Sequence, residues 1–126
     1  YNCTKLEGLD CSGIREMRNL HLSGCTGLER LEIRGLEKLL YITVENLPKL
    51  SHFRIGDNHS ISSANIANNN LDEEELAGFI AALPDTPHSG STGQMRKINF
   101  DGNPGDTPAN RQRVEALEYW EYATPP

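Results

Sequence analysis

Four histidines, three cysteines and a run of three glutamates are the residues here best able to do chemistry. Their spacing works against it. His21, His52, His59 and His88 form no ligand constellation, because none has Cys or His partners at zinc-like intervals. Asp57-Asn58 and Asp101-Gly102-Asn103 lack the dense alternating oxygens of a calcium loop and read as turns. Ser60, Ser62, Ser63 and Ser89 have no nucleophile-elbow context, and no cysteine has a clear histidine partner. Glu73-Glu74-Glu75 reads as an exposed helix start, not an acid–base pair. We therefore expect no catalytic residue, no metal, no cofactor and no enzyme activity.

The chain has 126 residues, about one domain, with 37% hydrophobic and 24% charged residues. It has no apolar run of about 18 residues that could span a membrane. The chain begins at Tyr1 without a signal peptide, so any targeting segment is expected to lie outside it. A net charge of -6 argues against nucleic acid as a partner. That charge is unevenly placed. Residues 1–71 hold 8 acidic and 8 basic residues, so the whole of the -6 lies in residues 72–126.

The elements that must position any site follow from a period of 11 between Leu6 and Leu71. Its six units are Leu6-Leu9-Cys11-Ile14, Met17-Leu20-Leu22-Cys25, Leu28-Leu31-Ile33-Leu36, Leu39-Ile42-Val44-Leu47, Leu50-Phe53-Ile55-Asn58 and Ile61-Ala64-Ile66-Asn69. The first three slots of every unit are apolar, which chance at this composition would give on the order of 10⁻⁸ of the time. The second and third slots are two residues apart and so share one face of a short strand. Gly13, Gly24, Gly35, Asn46, Asp57 and Asn68 precede the fourth slot, where the chain must turn tightly. Eleven residues cannot close a coil but 22 can, so the spacing predicts two strands per turn and turns stacked about 4.8 Å apart.

This pattern resembles the leucine-rich-repeat family, in a short nested version of 21–22 residues (11+11) similar to that of bacterial surface proteins. The resemblance implies an α/β repeat solenoid, a right-handed coil of parallel strands with a C-terminal helical cap. Asparagine fills the fourth slot only at Asn58 and Asn69, so the earlier bends at Ile14, Cys25, Leu36 and Leu47 are expected to rest on apolar packing. Cys3 and Cys25 fall at one slot on successive turns, near enough for a disulfide but awkward in torsion, so buried thiols are expected, with Cys11 in the core. Residues 1–71 then make about three turns, and residues 72–126 the last repeat and its cap. The same resemblance implies that the N-terminal part of the array lies outside this chain.

In the cap, Leu76, Phe79, Ile80 and Leu83 have helical spacing behind an Asp72–Glu75 capping box, and Pro84 stops the helix. Residues 85–94 read as a mobile polar loop. Met95, Ile98 and Phe100 restore strand spacing before a turn at Gly102–Gly105. A final helix is predicted from Thr107 and Pro108 through Val114, Leu117, Tyr119 and Trp120.

The unit at Ile61 runs into a helix on the convex side, so its strand belongs to the concave column. Steps of 22 add the strands near Leu39 and Met17, and residues 95–101 extend them. The outward positions proposed to bind are Arg18, Asn19, His21, Tyr41, Thr43, Glu45, Ser63, Asn65, Lys97 and Asn99, with Ser62 and Arg96 beside them. Such a mixed polar face with one aromatic suits a protein or glycan ligand. The other column carries Glu7, Asp10, Glu29, Arg30, Glu32, Arg34, His52 and Arg54, with Glu32 opposite Arg54, and reads as a solvated face. The expected function is a non-catalytic binding module of a bacterial surface protein, outside the cytoplasm. The alternative is a structural spacer or end-cap without its own ligand.

Overall fold

The computed structural model describes residues 7–10, 14–22, 25–56, 58, 60–85 and 95–123. Its elements in order are β1 (Gly8–Asp10), β2 (Asn19–Leu22), β3 (Arg30–Arg34), β4 (Tyr41–Val44), β5 (His52–Gly56), β6 (Ser63–Asn65), α1 (Glu73–Ala81), β7 (Arg96–Asn99), α2 (Pro108–Glu115) and β8 (Trp120–Tyr122). The first six strands alternate between two sheets. One has the order β1-β3-β5 and the other β2-β4-β6-β7-β8. All pairings are parallel, and through β6 each strand pairs with the one 22 residues on, as Leu20 with Ile42 and Leu31 with Phe53. The bends repeat the offset, with Leu40 N donating to Arg18 O and Ser62 N to Leu40 O.

The inward slots build one core that runs from Leu20 to Trp120. Among the slots whose side chains are described, all are buried except Met17 and Leu22, half-buried just before and at the end of the edge strand β2, and Ile14. Ile14 is 53% exposed, contrary to its predicted inward place. It sits on the outermost turn, where no further described layer covers it.

The bends before the fourth slot are left-handed where they are described: φ is +71° at Gly35, +63° at Asn46 and +58° at Asn68, while Gly13, Gly24 and Asp57 lie outside the described residues. Glycine and asparagine are the residues that tolerate this region. Asn69 then holds its bend from inside. Its Oδ1 accepts from Leu47 N at 3.0 Å, and its Nδ2 donates to Val44 O at 2.7 Å and Ile66 O at 3.0 Å. Asn103 does the same one layer on. It accepts from Leu71 N at 3.1 Å and donates to Ile66 O at 2.8 Å and Phe100 O at 3.0 Å, after a left-handed Gly102 at φ +79°. Asn58 does not join them; it accepts from Gly56 N at 2.8 Å, and its buried Nδ2 has no partner among the described residues.

Helix α1 starts where the charge pattern places it, with Asp72 accepting from Glu75 N at 2.8 Å and three glutamates at the positive end of the helix dipole. The Glu75 side chain does not return to complete the capping box. It reaches the three-stranded sheet, where α1 packs beside β5 with Phe79 edge-on to Phe53 at 5.0 Å. Thr107 and Pro108 open α2 as predicted.

The predicted continuation of that helix to Trp120 is corrected: α2 ends at Glu115, and Trp120–Tyr122 form β8, the fifth strand beside β7. Asp85 takes the chain out of the helix by accepting from Glu118 N at 3.1 Å and Tyr119 N at 2.8 Å. The Trp120 indole donates to Pro84 O at 2.9 Å. The predicted loop falls largely on residues 86–94, outside the described residues.

Candidate functional site

Strand alternation gives the five-stranded sheet two outward rows. Asn19, Tyr41, Ser63 and Lys97 are register partners in one row, which β8 extends with Glu121. His21, Thr43, Asn65 and Asn99 form the other. Asn19, His21, Tyr41 and Lys97 are exposed, and Thr43, Ser63, Asn65 and Asn99 are half-buried. Arg18 is exposed and Glu45 half-buried at the margins. Tyr41, at 50% exposure, is the large aromatic that stands out on this face. Two neighbours expected outside are inside: Ser62 is buried with its hydroxyl on Leu40 O, and Arg96 is buried with a guanidinium N–H on Ile61 O.

Internal bonding divides the face. Lys97 is ion-paired to Glu121. Asn65 donates to Glu45 at 3.1 Å and accepts from Ala67 N at 3.4 Å. Asn99 Oδ1 accepts from Asp101 N at 2.9 Å and lies 3.0 Å from the Tyr122 hydroxyl, whose single proton goes to Asp101. These four predicted site residues have partners within the chain. Asn19, His21, Tyr41, Thr43 and Ser63 have no side-chain partner among the described residues. The available part of the site is therefore its β2–β4–β6 half.

The β7–β8 half is locked by residues that the sequence reading placed in the terminal helix or left unassigned. The Arg111 guanidinium lies 3.5 Å from the centre of the Tyr122 ring and bonds Asp106 through Nε at 2.7 Å and Nη2 at 2.8 Å, and Asp101 at 2.8 Å. The Asp106 bonds hold the Arg111 pKa above its ordinary value. The Tyr122 hydroxyl also bonds Asp101 and accepts from Phe100 N at 3.0 Å. Burial first, and donation to Asp101 second, push the Tyr122 phenol above its ordinary pKa of 10.0. A raised folded pKa contributes stability that is complete below the unfolded value and lost as pH rises beyond it. We expect wild-type stability to decline above pH 10 partly through Tyr122. Tyr122→Phe should lower stability by about 1–2 kcal/mol at pH 7 and flatten that decline. Urea midpoints at pH 7 and through the alkaline range read both effects; an unaltered alkaline slope in the variant would exclude Tyr122 as a source.

A concavity on the three-stranded sheet is lined by Gly8, Asp10, Arg30, Leu31, Glu32, His52 and Arg54. Glu32 and Arg54 are register partners, but they are not the ion pair the sequence suggested. Glu75 from α1 takes Arg54 at 3.8 Å and His52 at 3.5 Å, and Glu32 lies 3.6 Å from Arg34. Glu73 is likewise structural, accepting from the Thr107 hydroxyl at 2.7 Å. His21 and His52 are on different sheets, while His59, His88, Cys3 and Cys11 lie outside the described residues; Cys25 is buried. Among the described residues no group of three His, Cys, Asp or Glu side chains could hold a metal.

Family models, curated proteins and solved structures gave no match to this chain. No described helix is long and apolar enough to cross a membrane. The functional reading rests on the two sheet faces, and they differ in kind. One is a field of opposite charges partly neutralised by α1; the other sets four uncharged or imidazole side chains, without a partner among the described residues, around the exposed Tyr41 ring, with an exposed Arg18 beside them.

Proposed function

We propose that this chain is the C-terminal end of a leucine-rich-repeat solenoid, acting as a non-catalytic module that binds a protein or glycan ligand on the concave face formed by its five-stranded sheet. The 22-residue strand register and the asparagines that hold successive bends support the repeat reading. The binding reading is carried by one observation. Asn19, His21, Thr43 and Ser63 stand on paired strands around the half-exposed Tyr41, and none of the five has a side-chain partner among the described residues. Solenoids present such surfaces to ligands, and a side chain fixed by a sheet loses little entropy on binding. The family resemblance extends the proposal to a bacterial surface protein.

Screening a panel of purified extracellular proteins and glycans tests this reading. A ligand that binds wild type is expected to bind Tyr41→Ala at least about 10-fold more weakly, since a central exposed aromatic is the usual anchor of such a patch. His21→Ala should give a smaller loss. If no member of the panel binds, or neither substitution changes binding, the module is a spacer.

A further inference from the structure

A groove of about 380 Å³ runs between β5 and helix α1, away from the five-stranded sheet. Its walls carry opposite charge, with Arg34 and Arg54 on the sheet side and Glu74 and Glu75 on the helix side. Arg34 lies across its register partner Gly56, where an added Cβ would meet its Nη1 at 3.5 Å. Its guanidinium is thereby laid toward β5, on the face that Arg54 shares with Gly56. Glu74 and Gly78 are four residues apart and so share one stripe of α1, and a Cβ at Gly78 would have nothing within 4 Å. Beneath, the buried rings of Phe53 and Phe79 meet edge-on at 5.0 Å and make the floor apolar. The ions above that floor are incompletely engaged. Arg54 stands 3.8 Å from Glu75 and Arg34 3.6 Å from Glu32, both beyond hydrogen-bond length, and neither guanidinium makes a hydrogen bond among the described residues. Glu74 has no partner among them, while Glu75 is shared with His52 at 3.5 Å.

We propose that this groove is a second binding site, for a free apolar α-amino acid. It is independent of the concave face. An α-amino acid carries its carboxylate and its ammonium on one carbon, and the groove sets opposite charges about as close, at 3.8 Å between Arg54 and Glu75. The ligand carboxylate can accept from the guanidinium forks of Arg34 and Arg54, and its ammonium can donate to Glu74. The side chain then leaves water over Phe53 and Phe79, in the space left open at Gly78. Charge argues against the other ligand classes. With Glu32 and His52 counted, the surroundings hold two guanidinium groups, three carboxylates and one imidazole. A polyanion meets the three carboxylates and a polycation the two guanidinium groups. A sugar or an uncharged peptide segment gives the same ions only neutral partners, which make hydrogen bonds about half as strong. The volume lies near the lower bound of small-molecule sites, about 300 Å³, and suits a single amino acid.

The test is a nuclear magnetic resonance titration of the 126-residue chain with L-leucine, L-methionine and L-phenylalanine at about 0.15 M salt. At least one is expected to shift the amides of residues 53–56 and 74–79 saturably, with a dissociation constant of about 1 mM. The deaminated acid, the decarboxylated amine and the uncharged N-acetyl amide of that amino acid should each bind at least about 10-fold more weakly. Arg54→Gln and Glu74→Gln, both at exposed positions, should each weaken the amino acid about 5- to 10-fold. Gly78→Leu, which fills the groove from a helix position that favours leucine, should abolish binding. Absence of saturable shifts from all three amino acids up to about 20 mM overturns the proposal. So does a deaminated acid that binds as tightly as the amino acid, which would mark a simple anion site. An N-acetyl amide that binds as tightly also overturns it and would mark a peptide groove. Shifts confined to β2, β4 and β6, or left unchanged by both glutamine variants, overturn it too, and the concave face is then judged by its own panel.

Discussion

Replacing Gly105 with alanine is expected to lower stability by about 3–5 kcal/mol, far more than an ordinary surface substitution. The added Cβ would lie 2.3 Å from the Asp72 carbonyl oxygen, 2.4 Å from its carbon and 2.8 Å from Glu73 N. These are backbone atoms at the start of α1, so no side chain can rotate aside. Nor can the turn withdraw cheaply. Gly105 N donates to Leu71 O at 2.7 Å, and Gly105 O accepts from Asn110 Nδ2 at 2.8 Å. Moving the turn away would strain both bonds and the neighbouring contact from Leu71 N to Asn103. Gly78→Ala is the matched control. It adds a Cβ to an exposed position of α1 with nothing within 4 Å, and should stabilise by about 0.5–1 kcal/mol through helix propensity. Urea unfolding of both variants reads the difference at constant slope. A loss below about 1 kcal/mol for Gly105→Ala would mean that the turn is not pinned against α1.

The strands through β6 are legible because one physical demand repeats every 11 residues. A unit too short to bury itself must place its apolar side chains against the next layer, and this fixes both the face and the 22-residue register. The signal fails where the layer spacing changes. Ser63 pairs with Lys97 and Lys97 with Glu121, intervals of 34 and 24 residues set by the inserted helices. Asn103 therefore reads as part of a turn although it repeats the bonds of Asn69. The strand β8 hides behind helical spacing, since Val114, Leu117 and Trp120 continue the stripe of α2. Its own signal is three residues long: Trp120 and Tyr122 pointing in, with Glu121 between them.

On the candidate face, strand alternation places each residue outward but does not say what each side chain reaches. Asn65 turns to Glu45, Asn99 lies against the Tyr122 hydroxyl, and Glu75 draws Arg54 away from Glu32. Each choice depends on an element that arrives later in the chain or on a neighbouring layer. The five side chains left over become visible only after those bonds are made.

A buried charge at Asn103 tests the bonds that hold the last bend. Asn103→Asp is expected to lower stability by about 3–5 kcal/mol at pH 7 relative to wild type, and by much less near pH 4. The residue is 6% exposed. One carboxylate oxygen can still accept from Leu71 N, but the other replaces a donor facing the Ile66 and Phe100 carbonyls at 2.8 and 3.0 Å. Three oxygens would then meet without a proton. Burial and this repulsion both favour the protonated acid, so the folded pKa of the new carboxyl rises above the unfolded value of about 3.9. With the folded pKa raised, stability is retained below the unfolded value and lost as pH climbs to the folded one, by about 1.4 kcal/mol per unit. Asn103→Ala supplies the comparison. It leaves Leu71 N without its acceptor at any pH, a deficit of about 2–3 kcal/mol that should stay flat. The two variants should exchange order: alanine the more stable at pH 7, aspartate at pH 4. Urea midpoints at both pH values, each referred to wild type, decide the matter. Parallel curves for the two variants would mean that the side chain at this bend meets water and that the Leu71, Ile66 and Phe100 bonds contribute little.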